Sequence, residues 1–139
     1  MEFTVKNKPL DIKFNFLQIF KIEKYLSKTY KESKGLFELM EGLVYKKDQS
    51  ILDILNALVP KGVTENDLAE AINAKSEAEG YDAMYQELLE TAKASGVFME
   101  KMKALKKQTA LVTQVSNLEK PEDKKALSIS QKMIDDFIG

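Results

Sequence analysis

The sequence predicts a mainly α protein with a short N-terminal β-hairpin, an α+β chain folded as a compact multi-helix domain. Apolar and polar residues alternate over residues 1–17, which is the period of a strand. Further along the chain, apolar residues recur every three or four positions, which is helical spacing. A chain of 139 residues with 44% hydrophobic and 31% charged residues is long enough to bury a core as one domain.

The hairpin is predicted from two alternating segments joined by a polar turn. Phe3 and Val5 are apolar in the first segment, Lys6-Asn7-Lys8 forms the turn, and Pro9 starts the second. Proline cannot donate to a ladder, so it suits the first position or the edge of a strand. We predict a β-hairpin over residues 2–15. Its apolar face must pack on helices, because an isolated two-stranded ribbon is marginally stable.

The first helix is predicted to start after an N-cap at Asn15. Lys34-Gly35 interrupts it, and a second helix follows and ends at the charged residues 46–48. The apolar positions that indicate these two helices are Ile19, Ile22, Leu26, Tyr30, Leu36, Leu39, Met40 and Leu43.

The third and fourth helices are predicted from their capping signals. Ser50 is followed three residues later by Asp53, a weak capping-box pattern, and residues 60–62 break that helix. Thr64 with Asp67 forms a second, clearer capping box for the fourth helix.

Two further helices and a tail complete the predicted fold. The fifth helix begins after Gly80 and stops around Ser95-Gly96, and helical spacing then resumes. We predict a β-hairpin plus helical domain over residues 1–108. Residues 109–139 are predicted to form a polar linker and a C-terminal amphipathic helix whose docking is loose.

Catalysis is disfavoured by the residue types that the chain lacks. It contains no His, Cys or Trp, and all 21 of its basic residues are Lys. General bases, covalent thiols and first-row metal sites rely mostly on His and Cys. No catalytic, cofactor or metal site is predicted, so we expect a protein that is not an enzyme. Carboxylate pairs such as Glu87 with Glu90, and Asp135 with Asp136, fit solvated helix faces better than a site.

Partner classes are narrowed by charge and hydropathy. The formal net charge is -1, which gives no net attraction to nucleic acid or anionic membranes. No apolar run reaches the length of a spanning helix, so we expect a cytoplasmic protein without a membrane partner. The lysines at 101–107 fit a solvated helix face.

An apolar cluster within residues 84–102 has two interpretations. Met-rich surfaces hold helical partners adaptably, and the same residue types also fill cores. Core packing is the favoured interpretation, because Met and aromatic residues commonly fill cores. As partner-contact residues we select Met84, Tyr85, Phe98 and Met102, and we expect Met102→Asp to weaken binding while helical content is retained.

Several segments, in this order, carry a resemblance to a known family: Phe3-Thr4-Val5-Lys6-Asn7-Lys8, Leu10-Asp11-Ile12-Lys13-Phe14-Asn15, Ile22-Glu23-Lys24-Tyr25, Leu36 to Tyr45, Asp53-Ile54-Leu55-Asn56-Ala57-Leu58, Leu68 to Ala74, and Met84-Tyr85-Gln86-Glu87-Leu88-Leu89. The pattern resembles the tail assembly chaperones of long-tailed phages and prophages of low-GC Gram-positive bacteria. The resemblance covers residues 1–105 and includes no catalytic signature.

This resemblance implies a non-enzymatic protein that binds and solubilises the helical tape-measure protein during tail morphogenesis. It also implies help in recruiting tail-tube protein, action in the host cytoplasm and absence from the mature virion. Self-association is an open possibility. The alternative is a small helical adaptor or regulatory protein that binds a single protein partner at fixed stoichiometry.

Overall fold

The computed structural model describes residues 1–31, 34–115 and 132–138, with the side chains of 109–115 excepted. Within these ranges the chain forms one two-stranded antiparallel sheet and seven helices, which confirms the predicted mainly α fold with an N-terminal hairpin. The elements are β1 (Glu2–Val5), β2 (Lys8–Asp11), α1 (Phe16–Tyr30), α2 (Leu36–Val44), α3 (Asp48–Leu58), α4 (Glu65–Glu79), α5 (Tyr81–Ala94), α6 (Gly96–Val115) and α7 (residues 132–138).

A two-residue turn closes the hairpin. Val5 pairs with Lys8, so the turn consists of Lys6 and Asn7, whose φ angles are 49° and 64°. Positive φ at both central residues matches the right-handed twist of the strands, as in a type I′ turn. The predicted hairpin is therefore present, although its ladder ends at Asp11, before the predicted limit at residue 15.

The Gln18 side chain holds the segment between β2 and α1. Its Oε1 accepts hydrogen bonds from the backbone N–H groups of Lys13 (2.8 Å) and Phe14 (2.9 Å). These bonds satisfy two backbone donors beyond the end of the strand ladder. The Phe14 side chain is fully buried although it lies outside β2, and its ring packs against Phe98. Asn15 caps α1 as predicted, because its Oδ1 accepts from the Gln18 backbone N–H at 2.9 Å.

Helices α2 and α3 approach closely at Gly42 and Ser50. An added Cβ on Gly42 would lie 1.7 Å from the Ser50 Oγ, and Ser50 is buried with 1% exposure. The predicted N-cap at Ser50 is wrong, since α3 starts at Asp48 after an N-cap at Lys47. Ser50 is thus a small contact residue that packs against α2 from within the first turn of α3.

The start of α4 has the predicted capping box. Thr64 Oγ1 accepts from the Asp67 backbone N–H at 3.2 Å, and Asp67 Oδ2 accepts from the Thr64 backbone N–H at 2.8 Å. The hydrogen bond that the Asp67 carboxylate accepts from the Thr64 backbone N–H holds the pKa of Asp67 below its ordinary value. The shorter Asp side chain therefore serves in place of the usual Glu or Gln.

Ser95 separates α5 from α6, as the sequence predicted. Its buried hydroxyl donates to the Phe14 carbonyl at 2.6 Å and accepts from the Phe98 backbone N–H at 3.1 Å. The second hydrogen bond caps α6. Since the first bond reaches the segment before α1, Ser95 joins the α5–α6 junction to the segment between β2 and α1.

The core is formed by the inner faces of the helices and of the hairpin. Helix α1 packs on α3, β1 packs on α4, and α5 contacts α2, α4 and α6. Helix α7 adds Ile134 and Phe137, which are 1% and 3% exposed. Most of the predicted polar linker lies outside the described residues. Helix α6 runs from Gly96 to Val115 and so crosses residue 108. The division of the chain at residue 108 stays a prediction.

Candidate partner-binding surface

The four residues predicted to contact a partner lie in the core. Met84 and Tyr85 belong to the buried face of α5, and Phe98 and Met102 to that of α6. All four have 0% exposure. In this conformation none of them presents surface to another protein. Their contact with a partner stays a prediction, and it would require the helices around them to separate.

Aromatic packing explains the burial of α6. The Phe98 ring lies between Phe14 and Phe137, at centroid distances of 5.5 and 5.6 Å. Met102 follows Phe98 one turn later on the same buried face. A carboxylate at such a position would be desolvated without a partner, which costs much stability. The structure therefore changes the expected result of Met102→Asp from weakened binding to unfolding.

Three large apolar side chains are exposed together at the start of α1. Phe16, Leu17 and Phe20 have exposed fractions of 67%, 58% and 54%. They lie off the buried stripe of the same helix, which consists of Ile19, Ile22 and Leu26. We call these three exposed residues the α1 apolar patch.

The α1 apolar patch continues into a shallow depression between α1 and α6. Phe16, Val97 and Ala104 contribute its apolar lining. The sequence did not reveal this surface, because the alternation over residues 1–17 includes Phe16 and Leu17 in a strand-like pattern. The signal that indicates it is a second apolar face at 16, 17 and 20 on a helix whose buried face is already complete.

A row of lysines follows the patch along the outer face of α1. Lys21, Lys24 and Lys28 are exposed, and none of them forms an ion pair with another described residue. The only carboxylate of α1, Glu23, is already paired with Lys101 of α6 at 2.6 Å. We call these three residues the α1 lysine row. The outer face of α1 is thus apolar at its start and positively charged further along.

A second group of exposed apolar side chains lies at the end of α2. Val44 is 37% exposed and Tyr45 is 60% exposed. They border a cleft whose other side includes Met133 and Phe137 of α7, together with Lys93 of α5. This group is smaller than the α1 apolar patch, and α7 covers part of it.

Asp53 is a buried carboxylate that joins the end of α1 to α3. It has 0% exposure and accepts hydrogen bonds from Lys34 Nζ (2.9 Å), Tyr30 Oη (3.1 Å) and Gln49 Nε2 (3.0 Å). Burial disfavours the charged form of Lys34, but the hydrogen bond and charge of Asp53 outweigh it and raise the Lys34 pKa. These partners make the cluster a structural tie, as buried charges require.

A tyrosine pair holds α5 against the start of α3. The hydroxyls of Tyr81 and Tyr85 donate to Asp48 Oδ1 at 2.7 and 2.9 Å. Burial, followed by the hydrogen bond to Asp48, raises the pKa of Tyr85. The Tyr85 hydroxyl therefore stays protonated, and its interaction with Asp48 is structural.

Several of the charged residues that could form an alternative site are engaged in ion pairs. Glu87 lies 3.6 Å from Lys75. In the basic stretch at 101–107, the described pairs are Lys101 with Glu23 at 2.6 Å, Lys103 with Glu100 at 3.5 Å, and Lys106 with Asp135. These contacts agree with charged residues that cover helix faces.

Neither a metal site nor a spanning helix is found in the described part of the chain. Among residues 1–31, 34–115 and 132–138, no group of three or more carboxylate, imidazole or thiolate side chains is placed to hold a metal ion. In the same residues, no helix is both long enough and apolar enough to cross a membrane. The largest group of exposed apolar side chains described above is the α1 apolar patch, and the α1 lysine row adjoins it.

A family model described as phage tail assembly chaperone protein, TAC, matches residues 2–107. The chain belongs to this family. The match runs from β1 into α6 of the chaperone, so it includes the hairpin, the core residues of β1 to α6 and the outer face of α1, but not α7. No curated protein and no solved structure shows significant similarity to this chain. The resemblance predicted from the sequence is confirmed at the level of the family, while the host group stays a prediction.

Proposed function

We propose that this chaperone binds the tape-measure protein of its phage and keeps it soluble while the tail is assembled. The family match over residues 2–107 carries this proposal. The exposed apolar residues of α1 support it, because a protein that shields apolar helices needs apolar surface of its own.

The physical role follows from the nature of the client. A long helical protein with apolar stripes aggregates unless a partner covers them. Covering requires contact area and tolerance of varied side chains, and no reacting group is involved. The chaperone accordingly acts without catalysis and without a cofactor.

The family match is also the basis for proposing where the chaperone acts and which second partner it has. We propose that the chaperone works in the host cytoplasm, brings tail-tube protein to the covered client and is absent from the mature virion. Many copies line up along one client, and contacts between copies assist this arrangement. Nucleic acid and membranes are not among its proposed partners.

The experiment is an affinity purification of tagged chaperone from cells that produce the parent phage. Mass spectrometry identifies the captured proteins, and size-exclusion chromatography with light scattering measures stoichiometry. We expect one very long helical protein bound by many copies. A tagged unrelated helical protein of similar size and charge is the control for nonspecific capture.

The adaptor hypothesis predicts a different result. A single partner of fixed, low stoichiometry, with no long helical protein among those captured, would overturn the proposal in favour of an adaptor. Capture of no phage protein would also overturn it. Stoichiometry decides between the two classes because only a coating protein scales with client length.

A further inference from the structure

We infer that the outer face of α1 is a docking site for one amphipathic helix that has a short apolar stripe followed by acidic residues. The client that supplies this helix rests on the proposed function. The site itself is inferred from the α1 apolar patch, the α1 lysine row and the adjoining depression on α6.

The inferred site is continuous along one helix face. Phe16 and Phe20 are one turn apart, and Lys24 and Lys28 repeat the same spacing further along. At 1.5 Å per residue, the face from 16 to 28 extends about 18 Å, or a little over three turns. A partner helix of similar length can therefore contact it with residues at i, i+3, i+4 and i+7.

Apolar contact would be concentrated at the start of α1. Phe16, the first residue of the α1 apolar patch, lines a depression with Val97 and Ala104 of α6, so a partner helix would meet two helices there instead of one. Phe16 is more than half exposed within this arrangement. Aromatic residues at the centre of a partly formed groove are typical anchors of helix recognition.

Charge determines which helix fits. The lysine row has no described ion-pair partner, while the one carboxylate of α1 is occupied by Lys101. A basic partner would be repelled, and an acidic one would satisfy three exposed cations and be steered toward them. The partner helix therefore carries Asp or Glu one to two turns beyond its apolar stripe.

A second copy of the chaperone fits this face less well. Among its described helices α4 has the most carboxylates, and the exposed apolar residues of α4 are all alanines (Ala69, Ala74 and Ala78). That helix offers the charge but has no large side chain to cover Phe16 and Phe20. A helix of another protein, with large apolar residues and carboxylates on one face, fits both parts of the site.

An anionic membrane surface fits less well for a geometric reason. A helix that lies in a membrane interface needs an apolar face along its length, with lysines at the polar flank. In α1 the apolar patch and the lysine row share one face, one after the other along the axis. Such an order matches a ligand whose chemistry also changes along its length.

The test uses two labelled synthetic helical peptides of about 18 residues. Both have the same Leu stripe over the first two turns, followed by Glu in one peptide and by Lys in the other. Fluorescence anisotropy measures their binding to the full-length chaperone at low and high salt. We expect the Glu peptide to bind at least about tenfold more tightly than the Lys peptide, with a difference that shrinks as salt rises.

Variants assign the binding to the two parts of the site. F16S/F20S is expected to weaken binding of the Glu peptide at least about tenfold, since anchor residues carry most of the affinity. K21E/K24E/K28E is expected to reverse the preference between the peptides. Y45S removes an aromatic side chain of similar exposure, 60%, from another surface and should change neither affinity. Thermal unfolding by circular dichroism verifies that all variants remain folded.

Several outcomes would overturn the inference. These are equal binding of the two peptides, binding that F16S/F20S leaves unchanged, or no binding of either peptide. Stronger binding to vesicles of phosphatidylcholine and phosphatidylglycerol than to the Glu peptide would assign the face to membranes instead. Self-association that F16S/F20S abolishes would assign it to a second copy.

Affinity purification separates this inference from the proposed function. If wild type and F16S/F20S capture the long helical client equally, the chaperone role stands and the α1 site is refuted. If wild type captures no such client, the chaperone role fails, and the peptide measurements alone decide the α1 site.

Discussion

Gly42→Ala tests the closest helix contact of the fold. On an open helix surface this substitution stabilises a protein by up to about 1 kcal/mol, because Ala has the better helix propensity. In α2 the new Cβ would lie 1.7 Å from the Ser50 Oγ and 2.9 Å from the Ser50 Cβ. Ser50 is 1% exposed, so its side chain has little space into which to move.

The expected cost follows from overpacking. Forcing one extra carbon into a closed contact costs about 1–3 kcal/mol, and we expect about 2 kcal/mol for Gly42→Ala. For a chain of this size such a loss lowers Tm by about 6–8 °C. Urea unfolding followed by circular dichroism gives the free energy of unfolding. An unchanged m-value verifies that the same surface is exposed.

A double-mutant cycle makes the test specific. Ser50→Gly removes both atoms that Gly42→Ala would meet, at a cost of about 1 kcal/mol for glycine inside a helix. In that background Gly42→Ala should become neutral or stabilising, which is a coupling of about 2 kcal/mol between the two positions. Gly96→Ala is the matched control, because a Cβ on Gly96 meets nothing within 4 Å. Equal cost of Gly42→Ala in both backgrounds would refute the proposed contact.

Three further predictions concern the core and the helix caps. Met102→Asp should abolish cooperative thermal unfolding by circular dichroism, because a carboxylate would be buried unpaired, whereas an intact fold would show that Met102 is accessible. Truncation before residue 132 should uncover Phe98 and increase the fluorescence of 1-anilinonaphthalene-8-sulfonate, and unchanged fluorescence would contradict the docking of α7. The lowered pKa of Asp67 means that its cap stabilises the fold above the ordinary pKa and is lost as pH falls through the lower folded value. Asp67→Asn should therefore show a smaller drop in Tm than wild type between about pH 6 and about pH 2. Equal drops would show that this cap does not contribute to the loss of stability at low pH.

Local signals in the sequence were sufficient where the interaction spans a few residues. Asn15 and Thr64 were identified as N-caps, and both accept the expected backbone hydrogen bonds. The turn at Lys6 and Asn7 also lies within the predicted segment. Such contacts depend on neighbours three positions away, which the sequence displays directly.

Contacts between distant segments could not be predicted from the sequence. Ser50 has the composition of a cap, but its environment depends on Gly42 in another helix. Phe98 has the character of a binding residue, and in the folded chain it packs between Phe14 and Phe137, which lie far away in the sequence; its contact with a partner stays a prediction. Helical periodicity shows that a face is apolar and does not show what lies against it.

The sequence by itself determined the elements, their order and the family, because each depends on local spacing and local capping. Only the tertiary structure decided which apolar faces are covered. In α1, Ile22 is buried and Phe20 is exposed, although both are large and apolar and lie two residues apart. That difference depends on how the other helices pack around α1. Burial is a property of the whole packed arrangement, so the outer face of α1 became visible as a surface only in the folded protein.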